Sequence, residues 1–376
     1  MQPKITALPL MQLASGDRLM LQTYRFIGDR PGKQVYIQAN LHGAELAGNA
    51  VIHELIQWLS QLEDTALHGE ICLVPVCNPM GVNQRAHNFA SGRYNPYDGR
   101  DYNRIFWDYE KTGVDIEAFV RSHWESPVET IVTAYRQQIH NAFAQELAAI
   151  SSPAGVPVHE LYRTRLQALA LQADYIIDLH SSTNEGLDYV YYFRDRDQSA
   201  CYFGLDFGIL LDEYDGDAFD EAFIKPWLAL ENAFEQLGRS LRCDIEAWTL
   251  ELGTGMQLNP QSVERGLKGI QNYLVRKGLL PEVQVSHVSE TCMALAHRSQ
   301  VTKYYATTGG VIENRVRPGT EVQAGELLYQ LLCFNKLQAL PVVMDTQAQS
   351  AGLVYDISTN RALSQGEYVL STIELD

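Results

Sequence analysis

The feature that most constrains this chain is a strand–helix–strand pattern near its start. Residues 33–40 (KQVYIQAN) are a short apolar, β-branched run that reads as a buried strand. Leu46, Val51, Ile52, Leu55, Ile56, Leu59 and Leu62 then recur at helical spacing. His68-Gly69 stops that helix, and 71–76 (ICLVPV) is the next apolar run. The three together predict a βαβ unit with a right-handed crossover, and so two parallel strands with a helix packed across them.

The pattern continues downstream. Further strands are predicted at 174–179 (DYIIDL), 189–193, 208–211 and 245–252, with helices near 220–237 and 261–277. Residues 126–172 read as helical, interrupted at Ser152-Pro153-Ala154-Gly155. Strands alternating with helices argue for an α/β sheet with helices on both faces. From about residue 286 the pattern changes to short strand-like runs punctuated by Thr308-Gly309-Gly310, Arg317-Pro318-Gly319, Gln323-Ala324-Gly325 and Gln365-Gly366. That is the signature of a small all-β domain. A chain of 376 residues accommodates both, divided as 1–285 and 286–376.

Composition excludes several classes of function. A formal net charge of -17 and the absence of any Lys/Arg run argue against a nucleic-acid partner, which needs a basic face. No window approaches eighteen uninterrupted apolar residues, so no membrane span is expected, and the N-terminus has no leader pattern. Cysteines stand at 72, 77, 201, 243, 292 and 333 with no C-x-x-C pair, which reads as buried thiols of a reducing, cytoplasmic setting.

The chemistry concentrates where strands end, the usual place for sites in open α/β sheets. The first strand runs directly into Asn40-Leu41-His42-Gly43-Ala44-Glu45, and the strand at 174–179 into His180-Ser181-Ser182. Catalytic zinc sites commonly use three ligands of His and Glu type and leave a fourth position open. The three-residue spacing of His42 and Glu45 fits one helical turn or a tight strand-to-helix turn, so both side chains can reach one ion, with His180 expected from another strand end. Asp178 or a backbone carbonyl is placed to orient a ligand histidine. Between the two strand ends, residues 78–104 form a long polar loop without periodicity, rich in Asn, Gly, Pro, Tyr and Arg.

Five blocks in this order resemble the succinylglutamate desuccinylase/aspartoacylase family, which is similar in turn to the zinc carboxypeptidases. They are N-L-H-G-A-E at 40–45, N-P-x-G at 78–81, D-Y-N-R at 101–104, D-L-H-S-S at 178–182 and T-L-E-L-G at 249–253. The resemblance implies a carboxypeptidase-like mixed sheet and one zinc per chain on His42, Glu45 and His180. It implies Glu251 as general base, Asn103 and Arg104 as the holders of a substrate carboxylate, and Arg85 as the group polarising the scissile carbonyl. In the family that loop arginine sits where His87 falls here, so Arg93 and Arg100 stand as alternatives to Arg85. A second departure is the helical insertion 105–173, expected to reshape the pocket. The tail from Gly310 resembles a biotinyl/lipoyl-carrier fold, but Met344-Asp345-Thr346 stands where a carrier lysine would be, so packing against the zinc domain is expected instead.

These readings converge on a zinc-dependent amidohydrolase that removes an N-acyl group from an amino acid or similar small amine. The substrate is expected to be a small molecule bearing a carboxylate, and a homo-oligomer is left open. A carboxypeptidase-like peptidase and a non-catalytic metal-binding scaffold are the alternatives.

Overall fold

The computed structural model describes the chain apart from residues 213, 285–291, 337, 338 and 376. Its first ten strands are β1 (Lys4–Gln12), β2 (Arg18–Ile27), β3 (Arg30–Ala39), β4 (His68–Val74), β5 (Tyr175–Ser182), β6 (Glu185–Gly186), β7 (Tyr189–Phe193), β8 (Phe207–Leu211), β9 (Glu246–Thr254) and β10 (Ala294–His297). All but β6 join one nine-stranded sheet in the order β1-β2-β4-β3-β5-β9-β7-β8-β10. The expected βαβ unit is there: β3 and β4 pair in parallel, joined through helix α1 (Ala47–Gln61). The centre of the sheet, β4-β3-β5-β9, is parallel throughout, whereas β1, β2 and β7 introduce antiparallel pairings.

The remaining helices are α2 (Pro79–Asn83), α3 (Ile116–Ser122), α4 (Val128–Ala149), α5 (Val158–Ala170), α6 (Asp197–Ala200), α7 (Phe219–Gln236) and α8 (Pro260–Arg276). Alternation along the central strands explains why helices cover both faces. Val35, Ile37, Ile177 and Trp248 pack with residues of α1 and α8 on one side. Tyr36, Ile176 and Ala247 pack with residues of α4, α5 and α7 on the other. Strands buried on both faces carry continuous apolar runs, which makes β3, β4, β5, β7, β8 and β9 readable in sequence.

The insertion corrects one expectation. Residues 105–173 line no part of the active-site cavity described below. Their helices bury Phe119, Ile131, Tyr135, Phe143 and Tyr162 against α7, on the far side of the sheet from α1. They reach the site only indirectly: Gln167 bonds both the N–H and the C=O of Trp107, fixing the stretch that follows Asn103-Arg104.

Beyond the sheet lie β11 (Val301–Tyr305), β12 (Gly310–Arg315), β13 (Glu321–Val322), β14 (Leu327–Cys333), β15 (Val342–Gln347), β16 (Gly352–Ile357), β17 (Ala362–Leu363) and β18 (Tyr368–Ile373). They form two antiparallel sheets around their own core, β11-β18-β16-β13 and β15-β14-β12-β17. The boundary expected after 285 falls among residues 285–291, outside the described residues. After it, β10 still pairs with β8 of the large sheet, and β6 leaves the first region to pair with β16. The two regions therefore exchange strands.

A second correction concerns the cysteines. Cys72, Cys77, Cys243 and Cys333 are buried and free, but Cys201 and Cys292 form a disulfide. The two precede β8 and β10, which are parallel neighbours, so the sheet brings together residues 91 apart in sequence. Spacing alone gives no sign of this pairing, and it removes the cysteine argument for a reducing compartment. Among the described residues no helix is long and apolar enough to cross a membrane.

Candidate active site

The strands β3, β5 and β9 are neighbours in the sheet, and their carboxyl ends carry the chemistry. Asn40 follows β3 in the left-handed region at φ 66° and donates its side-chain amide to the carbonyl of Glu45 at 2.7 Å. The turn so closed points His42 and Glu45 the same way. Asn78 of the N-P-x-G block braces it from below, donating to the Leu41 carbonyl at 2.8 Å while accepting from the Gly81 N–H at 3.0 Å. The fit is close enough that a Cβ on Gly43 would overlap the Gly81 carbonyl, and one on Gly92 would do the same.

His180 lies near the carboxyl end of β5, directly opposite Glu251 of β9. The register then slips, so that Ser182 pairs with Thr254. Gly253 absorbs the extra residue at φ 63°, where a Cβ would come within 2.7 Å of the Ser262 hydroxyl. A bulge of this kind re-aims side chains beside it.

His42, Glu45 and His180 are all buried, and one ligand atom from each lies within 4.8 Å of the others. His42 Nδ1 is 2.9 Å from one Glu45 oxygen and His180 Nδ1 is 2.8 Å from the other. The opposite nitrogens face carboxylates: His42 Nε2 is 3.0 Å from Asp101 and His180 Nε2 is 3.1 Å from Asp178. With each ring proton placed on the Nε2 that faces a carboxylate, both Nδ1 lone pairs stand against the Glu45 oxygens, and Arg93 Nη1 also meets that of His42. Such a contact needs a proton or a cation between the atoms, so the donor set fits a metal. Asp178 lies beside His180 as expected but makes no hydrogen bond to it, whereas Asp101, which has no role in the sequence reading, hydrogen-bonds His42.

The charges respond accordingly. Burial works against an ionised Glu45, yet the two histidines hold its carboxyl far below the usual range. For Asp101 the His42 contact and Arg93 likewise outweigh burial and lower it to about 2. Burial makes His180 harder to charge, but Asp178 and Glu45 raise it well above an ordinary histidine. Glu251 differs: burial, with Glu45 adding, pushes it up to about 7 against the pull of His180 and Arg93, and its Oε2 has no hydrogen-bond partner. A carboxyl near neutrality with a free oxygen suits proton transfer.

These groups open into a cavity of about 540 Å³. Asn103 and Arg104 line it, Asn103 accepting the Phe219 N–H at 2.9 Å so that its amide nitrogen stays available to the cavity. Tyr305, Tyr355, Asp356 and Tyr368 of the β region form the facing wall.

The catalytic-domain model of the succinylglutamate desuccinylase/aspartoacylase family matches residues 31–276, well over half the chain. The chain belongs to this family. A solved family protein from Shewanella amazonensis is 29% identical over 98% of both chains, with a TM-score of 0.87. One from Shewanella frigidimarina is 26% identical over 99% of this chain and 97% of its own, with a TM-score of 0.88. The product-bound ectoine utilization protein of Ruegeria pomeroyi, 18% identical over 98% of this chain and 94% of its own, shares the fold at a TM-score of 0.65. No curated protein matches the chain in sequence.

Within this deacylase family, the loop arginine needs correction. Arg85 is exposed, does not line the cavity, and donates to the Val82 and Gln84 carbonyls. Arg100 is also absent from the cavity wall. Arg93 occupies the site instead, with Nη1 2.9 Å from His42 Nδ1 and Nε 3.2 Å from Asp101. The reason is the turn at Gly92, which packs on Gly81 and delivers the next side chain to the metal ligands. Counting along the loop from the N-P pair cannot register that turn.

Proposed function

We propose that the chain is a zinc-dependent amidohydrolase that releases an N-acyl group from an amino acid or similar small amine bearing a carboxylate. The observation that carries this reading is the convergence of His42 Nδ1, Glu45 and His180 Nδ1 beside a half-buried Glu251. Two imidazoles with one carboxylate and an open side suit zinc. Bound there, zinc supplies an acidified water and an electrophile for the scissile carbonyl.

The chain's own residues supply the rest. Glu251 takes a proton from the attacking water and returns it to the leaving nitrogen. Arg93 faces the side where charge develops on the carbonyl oxygen. Asn103 and Arg104 hold the substrate's carboxylate, Arg104 through its planar fork. The β wall limits the space to small substrates, which favours acyl-amino acids over peptides.

Metal analysis of purified protein, coupled to rates on N-acyl amino acids and dipeptides, tests the proposal. We expect near-stoichiometric zinc and faster cleavage of acyl-amino acids. Bound zinc with no turnover on a broad amide and ester panel would instead mark a scaffold.

A further inference from the structure

The β region touches the metal strand at one polar point. Asp356 on β16, only 7% exposed, accepts hydrogen bonds from the hydroxyl of Ser182, from the Asn184 side-chain amide at 3.0 Å and from the Tyr368 hydroxyl at 2.6 Å. All three partners are donors, so the group is satisfied as a carboxylate acceptor. Around it the backbones are joined: Gly186 of β6 pairs with Asp356 itself and Glu185 with Ile357.

Ser182 is the last residue of the D-L-H-S-S block. It sits on the register slip that follows the His180–Glu251 pair, and its carbonyl accepts the Gly255 N–H at 2.5 Å. One residue earlier, the Ser181 N–H reaches Glu45 Oε2 at 3.3 Å. The three residues 180–182 thus supply a metal ligand, a contact to a second ligand, and an anchor. A strand end beside a bulge has few backbone bonds to hold it, so the anchor fixes the other two.

We propose that Asp356 is a positioning residue through which the β region sets the geometry of the metal centre, acting through Ser182. The inference rests on the metal reading above. Its role is orientation: among the described residues its side-chain hydrogen bonds run to Ser182, Asn184 and Tyr368 and not to His42, Glu45 or His180. Losing the anchor lets His180 and the Ser181 N–H sample positions that the ion does not accept.

The test uses the full-length protein and two substitutions, Asp356→Asn and Ser182→Ala, with the double variant. Zinc dissociation constants are measured by chelator competition, and kcat and KM on an acyl-amino acid that the wild type cleaves. Each single variant should weaken zinc by about tenfold, the lower end of the effect of removing a partner that orients a ligand. kcat should fall by a similar factor while KM moves less, and far-ultraviolet circular dichroism should show both variants folded. Because both residues act on one strand end, the double variant should lose no more than the worse single. Wild-type zinc affinity in both single variants would overturn the proposal. So would losses that multiply in the double variant, since Asp356 would then act by a route other than Ser182. A wild type that binds no zinc points to failure of the metal reading itself. Ser182→Ala removes one hydroxyl, so it reports even where Asp356→Asn does not fold.

Discussion

The two walls of the cavity were built differently. The wall proposed to hold the metal, the metal wall, comes from three adjacent strand ends, each announced by a short block of polar residues after an apolar run. The facing wall comes from β11, β16 and β18, where Lys303, Tyr305, Asp356 and Tyr368 stand among ordinary alternating strand residues. The first wall is specified locally, because a strand end must place its own side chain. The second is specified by docking one region on another, and no local pattern records that. The residues proposed to carry the chemistry and those proposed to set selectivity therefore have separate structural origins.

Breaking the metal wall should give the largest effects. His180→Ala is expected to abolish metal binding and reduce hydrolysis to background; unchanged zinc by metal analysis would remove His180 from the ligand set. Glu251→Gln should keep the metal and lower kcat by about 10²–10⁴, the usual worth of a general acid–base group. Full activity in that variant would remove Glu251 as the base.

Glu251 also makes a pH prediction for the metal-free protein. Burial raises it from an ordinary 4.5 to about 7, so its contribution to stability is complete below 4.5 and is lost as pH rises to about 7. Urea unfolding of the metal-free protein should show that decline, and Glu251→Gln should flatten it.

The loop arginines sharpen the contrast within the metal wall. Arg93→Ala should lower kcat by about 10²–10³, as removal of an oxyanion donor does. Arg85→Ala should stay within about twofold of wild type, in keeping with a surface position. Equal losses from the two would return the role to the loop as a whole.

The facing wall should answer more gently. Tyr305 is 50% exposed at the cavity edge. Tyr305→Ala is expected to change kcat/KM less than tenfold, and to change the ranking of acyl-amino acids against dipeptides more than the rate on either. A large loss of kcat there would merge the two walls into one functional unit.

What the sequence shows follows the same division. The six central strands were readable because they are apolar on both faces, and α7 and α8 because their periods are long and clean. The hairpin β1–β2 alternates more weakly and drew no reading. His42, Glu45, His180, Asn103, Arg104 and Glu251 all fall where their blocks placed them, at the cavity. The sequence offers Arg93 only as an alternative, because the Gly92 turn is a three-dimensional event. Asp101 was visible in its block without a role, since a ligand's orienting partner is recognised only when the ring nitrogen it meets is seen. The Cys201–Cys292 pair and the Asp356 contact join distant segments, and neither has any local signal.

The register of β5 against β9 has one last consequence. His180 faces Glu251 only while Ile177 pairs with Trp248 and Leu179 with Leu250. Thr249 and Glu251 share one face of β9, while Trp248 and Leu250 share the other and pack with α1 and α8. A slip by one residue would exchange the two faces, carrying Glu251 into that apolar cluster and away from His180. The packing of Trp248 and the placing of Glu251 are therefore one specification, with the Gly253 bulge as the mark against which the two strands align.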